Sequence, residues 1–171
     1  MIVQWIRNSK VASGLWTVIR LYLGYAWLSG GLSKLTGGGF DASGFLQGAV
    51  AQAGGDHPAL QSWWAVFLEQ VALPNAGLFS YLVMWGEILV GIALLIGVFT
   101  NFAALMGITM NFAFLFSGTV STNAQMVLLT VFLLIAGANA GRYGLDRWVM
   151  PYLRDHLPKH TQNRPAKPVT S

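Results

Sequence analysis

Between Glu87 and Arg142 run 54 consecutive residues without one Asp, Glu, Lys or Arg. Crossing the roughly 30 Å hydrocarbon layer once takes only about 20 apolar residues, so this stretch must fold back on itself. Thr100 and Asn101 supply one polar break, and the run from Ser117 to Asn123 supplies a second, with Asn123 near a helix start. Helices are expected over about residues 78–99, 101–117 and 122–140. The middle one is about 25 Å long at 1.5 Å per residue, so it stands near the membrane normal or thins the bilayer locally.

A fourth apolar segment, about residues 15–35, carries Arg20 and Lys34 near its ends, where long side chains can reach headgroup level. It is too long for a signal-peptide core, contains Arg20 and is followed by no Ala-x-Ala site, so it reads as a permanent helix. With 9% charged residues, against roughly 25% in an ordinary soluble domain, soluble and disordered classes are excluded. Outside the spans, Arg7, Lys10, Arg142, Arg147, Arg154, Lys159, Arg164 and Lys167 all lie toward the chain ends. The connection over residues 36–77 has no Lys or Arg, only Asp41, Asp56 and Glu69. That asymmetry sets membrane orientation rather than nucleic-acid binding: both termini cytoplasmic, the long loop outside.

The expected fold is therefore all-α, an integral membrane four-helix bundle occupying residues 1–150, followed by a basic, disordered cytoplasmic tail over 151–171. In the outer loop a turn at Gly54, Gly55 and Asp56 separates two helical pieces. One covers about residues 43–53; the other runs from Pro58 to Val71 and is stopped by Pro74. Leu60, Trp64, Phe67, Leu68 and Val71 share one stripe, so this second piece lies in the outer interface, either as an aromatic belt or as a lid.

Glu87 is the residue an apolar span should not contain. Nine residues into its helix, it sits about 14 Å deep, so it must face the bundle interior and be paired or protonated. Arg20 either reaches up to it or turns down to phosphate headgroups. Along the first helix, Gly24, Trp27, Gly31 and Lys34 follow Arg20 at spacings of a helical face, a groove for a flat polar-headed molecule or plain close packing. Asn111 falls at the depth of Glu87, and either shares a site with it or bonds a backbone carbonyl. Trp85 is its neighbour in sequence. Gly141 ends the fourth helix, Arg142 anchors it at headgroups, and Asp146 either caps the segment that follows or pairs with Arg142 or Arg147. With no cysteine, and with His57, His156 and His160 all outside the spans, no iron–sulfur cluster, haem or metal site is expected.

Three blocks carry a family resemblance: Arg20-Leu-Tyr-Leu-Gly24 with Trp27-Leu-Ser-Gly-Gly-Leu-Ser-Lys34; Glu87-Ile-Leu-Val-Gly91 with Leu94-Leu-Ile-Gly97-Val-Phe-Thr100; and Gly141-Arg142-Tyr-Gly144-Leu-Asp146. Together they resemble the DoxX family, and the long outer loop is similar to its DoxD branch, subunits of thiosulfate:quinone oxidoreductase. The resemblance implies a multi-pass protein of a bacterial or archaeal plasma membrane that works with quinone or with oxidative-stress complexes, and it supplies no catalytic residue. The physical reading assigns catalysis to Glu87 and Arg20 and ligand binding to Trp27, Lys34, Trp85 and Asn111. Thiosulfate, a dianion, would find only Lys34 on the outer side, so a second protein subunit is expected to hold the electron-donor site. Self-association stays open. The competing functions are a non-enzymatic membrane scaffold recruiting redox enzymes through the basic tail, and a small proton-coupled transporter using Glu87.

Overall fold

A computed structural model describes residues 1–54 and 59–156. Among them every regular element is a helix and no strand forms. Helix α1 (Ile2–Asn8) ends at Ser9, which is extended and caps α2 (Lys10–Thr36) by accepting the Ala12 amide at 3.4 Å. That cap starts α2 ahead of the expected residue 15. Asp41 caps α3 (Ala42–Ala51), accepting the Ser43 amide at 2.8 Å.

The outer segment differs from expectation at Pro74. Helix α4 (Ser62–Phe67) does not stop there; it passes through a π turn (Leu68–Ala72) and a 3-10 turn (Leu73–Asn75) straight into α5 (Ala76–Ile96). The Leu73 amide bonds the Leu68 carbonyl five residues back, and the Ala76 amide bonds Leu73 three residues back. The hydrogen-bond register thus slips around Pro74, whose missing N–H is tolerated in that turn.

Helix α5 closes at Gly97, left-handed at φ 69° and ψ 47°, rather than at the expected residue 99. Phe99 is also left-handed, at φ 48°, and α6 (Thr100–Phe116) begins directly after it. Helix α7 (Asn123–Ala136) gives way to a 3-10 turn (Gly137–Gly141) because Gly137 takes φ 58°, which an α-helix cannot continue. Residues 151–156, expected in an irregular tail, instead belong to α8 (Asp146–His156), which runs through Pro151. Leu145, Trp148, Val149 and Tyr152 recur there at helical spacing, and that period outweighs one missing backbone bond. The tail's Lys159, Arg164 and Lys167, and the loop's Asp56, His57 and Pro58, lie outside the described residues.

Two cores form. Leu23 and Trp27 of α2, Val90 and Leu94 of α5, Ala103 and Ala104 of α6, and Met126 and Leu133 of α7 interdigitate in the larger. The smaller gathers α3, Leu60, Leu68, Ala72 and Ala76. The aromatic pieces of the outer segment cover the far end of α6: Trp64 donates to the Ser117 hydroxyl at 3.0 Å, and Trp63 and Trp64 both pack edge-on against Phe116. The helical stretches Ser62–Ile96 and Asn123–Gly141 are long and apolar enough to cross a membrane; α6 is apolar but has only 17 residues. Leu82, Leu89, Phe102 and Leu128 are each more than half exposed on the outer faces of these helices, an arrangement that suits lipid rather than water.

Candidate functional site at the α2–α5 seam

Helices α2 and α5 pack more extensively than any other pair, and glycines set how closely. A Cβ on Gly24 would lie 2.9 Å from the Leu95 amide, one on Gly31 2.9 Å from the Ile88 amide, and one on Gly91 2.5 Å from the Leu28 amide. Backbone therefore meets backbone along the seam, in one antiparallel register. That register places Arg20 against the end of α5 and Lys34 against its middle, one turn from Glu87.

Glu87 is 3% exposed, and its Oε2 receives the Lys34 ammonium at 2.7 Å. Gly30 opens the space beside it, since a Cβ there would sit 3.3 Å from Oε2. Lys34 itself keeps a quarter of its side chain exposed and also lies 5.4 Å from the centre of the Phe40 ring. No other salt bridge forms among the described residues. The pair joins a buried acid to a lysine whose side chain still touches the surface.

The other expected partners of Glu87 lie elsewhere. Arg20, 2% exposed, donates to the Leu94 and Leu95 carbonyls in the last turn of α5 and, at 3.5 Å, to the Tyr143 carbonyl. It satisfies the open carbonyls and the negative end of a helix, and so turns neither up to Glu87 nor down to headgroups. Trp27 is buried but faces α6, its indole nitrogen against Gly107. Trp85, two positions before Glu87, projects from a different face of α5 and is half exposed. Asn111 is fully buried, and neither atom of its amide has a partner, so it is not hydrogen-bonded to Glu87.

Asp146 caps a helix, but a different one from that expected. Its two carboxylate oxygens accept the Phe99 and Thr100 amides at 2.6 and 2.9 Å, capping α6 rather than α8 and holding Phe99 in its left-handed conformation. The Leu145 and Asp146 amides return to the Ile96 and Gly97 carbonyls at 3.2 and 2.8 Å. The glycine spacing follows from this docking: a Cβ on Gly144 would lie 2.7 Å from Gly97 Cα, and one on Gly141 would strike Asp146. The Asp146 carboxylate also acts electrostatically on Arg20, so one acid serves two helix ends. Arg142 bonds the Asn8 carbonyl at 3.3 Å.

Asn139 was not singled out by sequence reasoning, yet it ties the chain ends together. Its Nδ2 donates to the Ile6 and Ser9 carbonyls at 2.8 and 3.1 Å, and its Oδ1 accepts from Ser13 at 2.6 Å. The available signal was an amide in an otherwise apolar Gly-Ala-Asn-Ala-Gly run.

Among known families, the DoxX model matches residues 15–119, from the start of the α2 span to just past α6. The match takes in both glycine-bearing sides of the seam, Lys34 and Glu87, and stops short of the Gly141 to Asp146 block. No curated protein and no solved structure matches the chain.

Proposed function

The chain belongs to the DoxX family of membrane proteins, and from that membership and the buried Lys34–Glu87 pair we propose that it is the quinone-interacting subunit of a membrane oxidoreductase, of the DoxD type with thiosulfate as ultimate donor. It works as a four-helix transmembrane bundle of α2, α5, α6 and α7 in a bacterial or archaeal plasma membrane, with both termini and their basic residues on the cytoplasmic side. The observation that carries the reading is a carboxylate, otherwise costly at that depth, kept in contact with a lysine whose side chain is about a quarter exposed.

The residues present fit a quinone head. Glu87 has a carboxylate oxygen with no hydrogen bond, Gly30 brings no side chain against it, and Lys34 can donate to a carbonyl oxygen. A bound quinone supplies two-electron, two-proton redox chemistry. Lys34 would orient the head by donating a hydrogen bond to it, and Glu87 would hold or release the proton at Oε1, the oxygen that Lys34 leaves free. Arg20 and Asp146 support this site only indirectly, by fixing the ends of α5 and α6. Among the described residues Lys34 is the only Lys or Arg in the outer half, and Glu87 already engages it. A site for a dianionic donor therefore belongs to a second protein subunit.

The test is quinone titration of the purified protein in detergent, read by quenching of its seven tryptophans. Saturable quenching that weakens by about tenfold in Glu87→Gln, the loss of one charge-assisted hydrogen bond, is the expected result. Equal affinity in the two forms, or no saturable quenching, would sink the reading and leave the non-enzymatic scaffold, which depends on the basic end of the chain and not on Glu87.

A further inference from the structure

At the Gly97 end of α5, away from Glu87, a groove of about 360 Å³ opens between the end of α5 and the start of α8. Ile96 and Leu145 give it aliphatic lining, and Arg142, Tyr143, Arg147 and Trp148 stand around them with Gly144. We propose that this groove binds the headgroup of an anionic phospholipid, with an acyl chain lying down the lipid-facing side of α5. The inference rests on the membrane placement of the helices and is independent of the quinone reading.

Charge and shape both point to that occupant. The Arg147 guanidinium makes no salt bridge or hydrogen bond among the described residues and lies 5.8 Å from the Trp148 ring, at the groove and not neutralised. Arg142 spends one nitrogen on the Asn8 carbonyl and has the others free for a phosphate oxygen. The nearest acid, Asp146, faces inward and is consumed by the Phe99 and Thr100 amides; Asp155 lies on the last turn of α8, away from the groove lining. Tyr143, Trp148 and Tyr152 are each more than half exposed, the aromatic presentation of an interfacial helix. Below the groove, Ile96, Ile92 and Leu89 continue along α5 as an exposed apolar track for a chain. A free phosphate would use the arginines but neither the rings nor the track.

The experiment uses the full chain in zwitterionic micelles, titrated with phosphatidylglycerol or phosphatidylcholine carrying bromine in the acyl chain, with tryptophan quenching as readout. Trp148→Phe identifies the part of the signal that comes from the groove. Phosphatidylglycerol is expected to quench Trp148 at lower concentration than phosphatidylcholine. Arg147→Gln, which breaks no salt bridge or side-chain hydrogen bond, is expected to weaken it by about fivefold, and the Arg142→Gln, Arg147→Gln double variant by about thirtyfold, at roughly one factor of five per arginine near a membrane surface. Arg147→Lys should retain most of the preference. Equal quenching by the two lipids, an unchanged midpoint in Arg147→Gln, or displacement of the lipid by millimolar inorganic phosphate would each overturn the proposal, the last by showing a simple anion site.

Discussion

Replacing Gly91 by alanine adds one methyl group where α5 meets α2, and the structure fixes what that methyl would strike. It would lie 2.5 Å from the Leu28 amide nitrogen and 2.7 Å from Leu28 Cα, nearly an ångström short of ordinary van der Waals contact. These are backbone atoms inside a helix, so no rotamer change relieves the clash and the helices must move apart. Alanine gains up to about 1 kcal/mol over glycine in helix propensity, while overpacking a tight contact costs about 1–3 kcal/mol; with no flexible neighbour to yield, a net loss of about 1–2 kcal/mol is expected. Gly14→Ala, on α2 with nothing within 4 Å of its added carbon, is the control and should gain stability. Gly86→Ala meets only the Met110 sulfur at 3.1 Å, a side chain that can shift, and should be close to neutral. Detergent-denaturation midpoints followed by circular dichroism rank the three. If Gly91→Ala is as stable as Gly14→Ala, the argument that backbone contact sets the seam is wrong. The same separation should loosen the 2.7 Å Lys34–Glu87 contact, so quinone affinity should fall together with stability.

Asp146→Ala removes the acceptors for two amides at the start of α6 and is expected to cost about 2 kcal/mol, the upper end for a helix cap, measured by the same denaturation midpoint; a loss below half of that would refute the capping role. Arg20→Met leaves the Leu94 and Leu95 carbonyls without their donor at a buried helix end, and should destabilise by about 1–3 kcal/mol while leaving the Lys34–Glu87 contact intact. At Asp41, hydrogen bonds from Ser43 hold the carboxyl below its usual range. The folded value is thus lower than the unfolded one, near 3.9, so the cap of α3 contributes fully above that value and is lost as pH falls through the folded value. The Ser43 amide resonance should move with that acid titration in the wild type and stay put in Asp41→Asn.

Much of this was legible from the apolar pattern, because a span must satisfy its backbone internally and helices are the simple way to do so. The polar breaks at Thr100 and at Ser117 to Asn123 fall where helices end, since glycine and short polar residues act locally. Which polar residues meet was not legible from depth alone. Arg20 and Glu87 looked like partners by distance from the helix ends, but the pairing is set by register, and register is set by where Gly24, Gly31 and Gly91 let backbones touch. The Gly141 to Asp146 block was visible as a motif, yet its partner, the Gly97 to Thr100 turn, lies more than forty residues upstream and becomes apparent only once α6 and α7 have brought the two together. Pro74 misled for a related reason: a stop signal in an isolated helix becomes a tolerated register slip when α3 packs against the turns on either side.

The Asp146 cap also has an order of events built into it. Helix α6 begins at Thr100, but the acid that completes its first turn is encoded 46 residues later, beyond the whole of α7. In the order of synthesis α6 therefore precedes its cap, and its leading amides lack their acceptors until α7 and the Gly137–Gly141 turn have followed. Arrival of Asp146 closes the α6 turn, docks onto Gly97 and brings its charge near Arg20 in one step, so a single late residue completes two helix ends made earlier. Any chain cut short before that residue would leave both ends unfinished, the Phe99 and Thr100 amides without acceptors and Arg20 without its nearby carboxylate.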